Sequence, residues 1–367
     1  MESPNGTITV CSVGDIMPGG ILNSSDRPYI SDEVLALLKE ADIRVGTLET
    51  AVGNEPTFNS EKMKRGCDVV YVEDKDLDRI EYLNINIVSL ANNHFFDLGE
   101  EGAHHAIEEL DRRGILHCGG GMNIDEASKP AVIEKKSVKI GFLAFCDWRE
   151  ETVGWCPIAD KEKPGINPLY DDYVLSEIKK YKTQFDYIVV IPHWGTEQDH
   201  RPSREVVDLE KKIRKAGANL IIGGHTHSVQ PLINRGGVTT VYSLGNFLFP
   251  DWLICPPRSP FYPHKEIDYS RLPYVETLKF VNEITYKSWR EISRTGLVVI
   301  SNFEKGKVVS HSHYVYTTKD NIIIKINCPP KIKKWFSILT PLLYLNIYNP
   351  SIKVFNMLLK VWNLIKK

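Results

Sequence analysis

Short apolar runs rich in β-branched residues recur at 7–13, 43–48, 85–90, 138–145, 187–191, 219–222 and 239–244, and each gives way to a polar tip. Runs this short and this continuously apolar suit strands buried on both faces. Between them lie stretches with helical signals, at 34–38 behind the cap Ser31-Asp32-Glu33, and at 74–84, 102–113, 172–182 and 204–216. Strands alternating with helices predict a layered α/β fold, with β-sheets flanked by helices. In such folds the ligand site gathers beyond the carboxyl ends of the strands. The polar tips are therefore the place to look for chemistry.

Asp15 follows the first run, Glu49 the second, and Asn93-His94 the third; His193 follows the run at 187–191. The run at 219–222 leads into Gly223-Gly224-His225-Thr226-His227. On an extended His-X-His unit the two rings point to opposite sides, so joint chelation needs a turn at Thr226, which the preceding glycines make feasible. Taken singly, each residue has a plain alternative: a turn aspartate, a strand-end charge, an αL-tolerant asparagine pair, a packed histidine beside Trp194, two loop histidines. Together on one rim they form a donor set of carboxylate, amide oxygen and imidazole without sulfur. That set suits two divalent cations, manganese, iron, zinc or magnesium, and does not choose among them. Trp194 reads equally as packing or as a platform for substrate. Glu197 and Asp199 read as solvated loop charges or as partners for a substrate amine.

Six ordered segments carry a family resemblance: Val13-Gly14-Asp15-Ile16-Met17, Thr47-Leu48-Glu49-Thr50, Leu90-Ala91-Asn92-Asn93-His94 with Asp97 and Gly99, His193-Trp194-Gly195-Thr196-Glu197, Gly224-His225-Thr226-His227, and Tyr242-Ser243-Leu244-Gly245-Asn246-Phe247. In order and spacing they resemble the CapA family of capsule and poly-γ-glutamate biosynthesis, within the calcineurin-like metallophosphoesterase superfamily, over about residues 7–317. The resemblance implies a metallophosphoesterase-like fold and a dinuclear metal-dependent hydrolase acting on a phosphoester or related bond. It implies Asp15 and His227 on one metal, Asn93, His193 and His225 on the other, Glu49 bridging, and His94 as the acid that protonates the leaving oxygen. Trp194, Glu197 and Asn246 are further candidates for substrate contact. The chain departs from the pattern at Met17, where a histidine is common, at Glu49, where aspartate is usual, and at Thr47, where asparagine is usual. Those departures keep open a non-catalytic role, as a polymer-binding or scaffold subunit of a membrane-associated synthase.

The expected partners are a surface-polymer precursor or the polymer itself. No broad basic face points to nucleic acid: the formal charge is -2, and residues 329–367 carry seven lysines and no acid. Seven scattered cysteines without a C-x-x-C pair read as free thiols in a reducing compartment. The start, Met1 to Gly6, lacks the basic and apolar regions of a secretory signal. The expectation is a cytoplasmic protein, peripheral at the inner face of the membrane. Two regions are expected: a main domain over 1–328 with an irregular, lid-like insertion at about 250–292, and a basic amphipathic tail over 329–367. The tail suits an anionic membrane surface, or packing on the main domain or a second copy.

Overall fold

The alternating runs assemble into two large sheets in a computed structural model, which describes residues 7–24, 27–54, 57–64, 69–147, 155–253 and 286–344. In the first sheet β1 (Ile8–Ile16), β2 (Ile43–Leu48), β3 (Ile87–Ser89) and β4 (Leu116–Cys118) lie parallel and side by side. The second sheet has the core β6 (Val138–Cys146), β7 (Tyr187–His193), β8 (Leu220–Ile222) and β10 (Val238–Val241), also parallel. Antiparallel β5 (Ala131–Lys135) and β9 (Leu232–Arg235) form its two edges.

The hairpin expected near 296–316 forms, as β11 (Thr295–Glu304) and β12 (Lys307–Thr317). It does more than the turn signal foretold: β11 pairs antiparallel with β1, Val13 opposite Val298, and β13 (Ile323–Ile326) adds a further strand beyond β12. The first sheet is thus mixed, extended on one side by the end of the described chain.

Side-chain alternation explains the layering. Along β7, Tyr187, Val189 and Ile191 belong to the principal core, while Ile188 and Val190 enter a second one. On β6, Ile140, Phe142, Ala144 and Cys146 share the first core, and Leu143 and Phe145 the second. A strand stretch whose two faces are both buried has to be apolar, as Ile140 to Cys146 and Ile188 to Ile191 are. The second core is roofed by α3 (Asp171–Tyr181) and α4 (Arg204–Ala216), through Val174, Ile178, Val206 and Ile213. Helices α1 (Asp32–Lys39) and α2 (Gly99–Arg112) bury Val34, Leu37, Leu38, Ala103, Ala106 and Leu110 in the principal core.

One bridge joins the two sheets at their carboxyl ends, through Asp15, and a second, within the second sheet, extends the pairing of β7 with β8. Asp15 donates its N–H to Gly245 O at 3.0 Å, and Phe247 N–H donates to Asp15 O at 3.0 Å. His193 pairs with Gly224. Of the expected insertion, residues 254–285 lie outside the described residues; its flanks pair antiparallel, Trp252 with Lys287 and Leu253 with Tyr286. From the basic tail, α5 (Pro330–Tyr344) buries Ile338, Leu339, Leu342 and Leu343 in the second core, whereas 345–367 lie outside the described residues. No helix among the described residues is long and apolar enough to cross a membrane. The described cysteines Cys11, Cys118, Cys146, Cys156 and Cys328 are free.

Candidate metal centre

Strand ends deliver seven of the expected side chains to one place. Asp15 closes β1, where its register against β2 shifts between Ser12 and Asp15, an irregularity of the kind that re-aims a side chain. Glu49 follows β2 directly, its N–H donating to Ile16 O at 2.9 Å. Asn93 and His94 follow β3 on a turn anchored by Asn92, whose amide donates to Leu48 O at 2.8 Å and whose Oδ1 accepts from His94 N–H at 2.9 Å. His193 ends β7 at an odd position, and so faces between the sheets with Val189 and Ile191.

The two-histidine segment resolves differently from the sequence expectation. The left-handed backbone falls on His225 (φ 82°) and His227 (φ 48°) themselves. The glycines before them serve close approach instead: a Cβ on Gly223 would lie 2.1 Å from Tyr242 O, and one on Gly224 2.6 Å from Asp15 Oδ1. With the chain turned twice, the rings stand 6.3 Å apart and join different donor groups.

One group is Glu49, His193 and His225; the other is Asp15, Glu49 and His227. In the first, His193 Nε2 lies 2.9 Å from Asn93 Oδ1, 3.2 Å from Glu49 Oε1 and 3.2 Å from His225 Nδ1. In the second, His227 Nε2 is 3.6 Å from Glu49 Oε1 and His227 Nδ1 is 3.7 Å from Asp15 Oδ2. Asn246 Oδ1 sits 2.9 Å from His227 Nδ1, so a proton on Nδ1 satisfies that bond and leaves the Nε2 lone pair for a ligand. Glu49 is common to both groups. Met17 is buried and contributes no donor to either.

The electrostatics ask for cations. Asp15 and Glu49 are fully buried, and Asp15 Oδ1 and both Glu49 carboxylate oxygens have no hydrogen-bond partner. Burial, and then the Glu49 charge, push the Asp15 carboxyl well above the usual range; burial likewise raises Glu49, with His227 and His94 pulling the other way. Burial and then neighbouring imidazoles hold His193 and His225 well below the ordinary histidine value, so both are neutral, the form a metal takes. His227 is raised, because the Glu49 and Asp15 carboxylates outweigh the effect of its burial. Buried carboxylate oxygens left without partners are costly, and a bound cation removes that cost. The donor set present fits divalent metal.

A cavity of about 380 Å³ opens beside the centre, lined among others by Asn93, His94, Glu197, His227 and Trp289. His94 presents its ring here, with Nδ1 2.8 Å from Asp97 Oδ2. Glu197 is exposed at the cavity. Trp194 is not a platform: it is 1% exposed, packs in the second core, and donates its indole N–H to Tyr242 O at 2.9 Å. Asn246, expected near substrate, is buried against His227. Lys62, Trp155 and Trp289, also in the cavity wall, carry no sequence signal: Lys62 sits in Glu61-Lys62-Met63-Lys64-Arg65, which reads as a solvated charge run.

Comparison with known proteins finds relatives of this chain. The capsule biosynthesis protein CapA of Bacillus anthracis is 30% identical over 254 residues, covering 67% of this chain and 60% of that protein. The PGA biosynthesis protein CapA of Bacillus subtilis (strain 168) is 27% identical over 243 residues, covering 65% and 62%. The chain thus spans about 60% of the length of these curated relatives. Among solved structures, the calcineurin-like phosphoesterase YfkN of Bacillus subtilis aligns with a TM-score of 0.44 at 13% identity, over 93% of this chain and 98% of that one. Residues 9–251, which hold every donor of the centre, match the family described as bacterial capsule synthesis protein PGA_cap, and the chain belongs to that family.

Proposed function

We propose that this protein is a dinuclear metal-dependent hydrolase of a phosphoester or related bond, acting in the synthesis of a surface polymer of the capsule or poly-γ-glutamate type. One observation carries the reading: two donor groups, each drawing side chains from both sheets, share Glu49, whose buried oxygens have no hydrogen-bond partner. Asp15 and His227 would hold one divalent ion, Asn93, His193 and His225 the other, and Glu49 would span them. Manganese, iron, zinc and magnesium all suit oxygen and imidazole donors. Held by these residues, divalent ions would supply Lewis acidity and a source of acidified water for hydrolysis.

The chain's own residues supply the rest. Asp15 and Glu49 balance the charge of the ions, and Asn246 fixes the face that His227 presents. His94 stands in the cavity wall outside both donor groups, placed to pass a proton to the leaving oxygen, with Asp97 behind it. Glu197 and the aromatic residues of the wall bound the space for substrate, a surface-polymer precursor or the polymer. Attachment to a membrane surface would fall to the basic tail, through its lysines beyond 344.

Metal content per chain after manganese loading and desalting tests the reading, wild type against His225→Ala. About two ions, falling in the variant, are expected of a two-metal site. No bound metal in the wild type would overturn it in favour of the polymer-binding or scaffold role, which the methionine at position 17 already favours.

A further inference from the structure

Lys62 is 1% exposed, on the short helix Ser60–Lys64. Its segment is tied to the catalytic turn from several sides. Asn59 Oδ1 accepts from Glu61 N–H and Lys62 N–H at 3.1 and 3.2 Å, and its amide donates to Phe96 O and Trp155 O at 3.0 and 3.1 Å. Trp155 in turn donates its indole N–H to Asn93 O at 3.3 Å, and its ring lies 5.3 Å from Lys62 Nζ.

The ammonium donates to Asp97 Oδ1 at 2.5 Å and lies 3.0 Å from His94 Nδ1. Asp97 is fully buried; its second oxygen accepts from Val70 N–H at 2.7 Å and lies 2.8 Å from His94 Nδ1. A carboxylate only accepts and an ammonium only donates, so His94 Nδ1 can satisfy one of them and not both. The ammonium already has its acceptor in Oδ1, which leaves Oδ2 to take the proton of Nδ1. A buried ion pair is weak as a source of stability, since an apolar pair of the same shape commonly does as well. Its value here lies in geometry: two charges and one backbone N–H fix the carboxylate against which the imidazole rests.

We propose that Lys62 is a positioning residue for His94. Its ammonium holds the Asp97 carboxylate, Asp97 holds the Nδ1 edge of His94, and the Nε2 edge is left for the cavity that His94 lines. Lys62 itself meets no reacting atom. The proposal rests on the hydrolase reading for the purpose of that arrangement, and on geometry alone for its existence.

The test uses the full chain loaded with manganese, as wild type, Lys62→Met and Lys62→Gln, the last keeping a neutral donor in case the first does not fold. Circular dichroism and metal content identify folded, loaded variants. In crystal structures of these proteins the 2.8 Å contact of His94 with Asp97 should be lost, or the ring spread over two rotamers; a ring unchanged without Lys62 overturns the proposal. Turnover gives a second arm. The nitrophenolate of p-nitrophenyl phosphate leaves without a proton, whereas the phenolate of phenyl phosphate needs one. A displaced general acid should cost about 10²-fold in kcat on phenyl phosphate and far less on the nitrophenyl ester. An equal loss on both esters overturns the proposal, since a general loosening of the site would slow both alike. If the wild type hydrolyses neither ester, the hydrolase reading falls while the crystallographic arm still decides Lys62. If neither variant folds with metal bound, Lys62 serves the fold alone, and the proposal is likewise overturned.

Discussion

Glu49 concentrates the energetics of the centre in one side chain. Both of its oxygens are buried without a hydrogen-bond partner, so replacing it with glutamine removes a charge that His227 and His94 offset only in part against its burial. The metal-free Glu49→Gln protein should be more stable than wild type by about 1–3 kcal/mol, the usual cost of an unsatisfied buried group. If the centre binds manganese, the ion should raise the melting temperature of the wild type and leave that of the variant unchanged. A calorimetric scan of each protein with and without metal checks both signs. Protonation supplies a second prediction. Asp15, Glu49 and His227 all have raised values, so in the metal-free protein they retain protons to higher pH than usual and must release them when a cation binds. His193 and His225 are lowered, already neutral, and release none. Metal affinity should therefore rise with pH through the raised values and fall as pH drops, with proton uptake by the buffer visible in titration calorimetry. Equal affinity at pH 5.5 and 7.5 would contradict these protonation states. The donors were legible in the sequence because each ends an apolar run and so had to reach one rim. Lys62 and Trp289 were not, since nothing local separates a buried lysine or a wall tryptophan from an ordinary one.

Where β8 ends, two glycines do different work, and their variants should separate. A Cβ at Gly223 would meet the Tyr242 carbonyl at 2.1 Å, a backbone clash that only a parting of β8 from the segment after β10 relieves. Gly223→Ala should cost about 1–3 kcal/mol or more, the scale of overpacking in a tight core. At Gly224 the Cβ would meet Asp15 Oδ1, a side-chain atom, at 2.6 Å. Gly224→Ala should therefore keep most of its stability and lose metal from the group that Asp15 serves, which unfolding curves and metal content together would reveal. Local pattern foretold the strand and the histidines but placed the turn on the glycines, because flexibility was visible in the sequence and the neighbouring Tyr242 and Asp15 were not. The hairpin tells the same story at longer range. Its turn, Phe303 to Lys307, is written locally, yet its pairing with β1 joins Val13 to Val298, and no periodicity records a partner so distant.

At the scale of the whole molecule, the basic tail divides into two parts that deletion can distinguish. Helix α5 inserts Leu339 and Leu343, at 0% and 2% exposure, into the core that α3 and α4 also cover. Each such side chain is worth about 1.5–3 kcal/mol when fully buried. Removing 330–367 should therefore lower the melting temperature sharply and expose an apolar face prone to association. The centre lies in the interior between the sheets, on the other side of β7 from that core, so the folded fraction of the truncated protein should still bind metal. Removing only 345–367 takes away Lys353, Lys360, Lys366 and Lys367 with Trp362 and leaves α5 seated. If those residues hold the protein to an anionic bilayer, this shorter deletion should abolish co-sedimentation with phosphatidylglycerol vesicles, while melting temperature and metal content stay at wild-type values. Basic residues near such a surface contribute about 1 kcal/mol each, so the binding should also weaken steeply as salt rises. Vesicle binding that survives the shorter deletion would assign attachment to the folded body, and the lysines beyond 344 would then have no part in it.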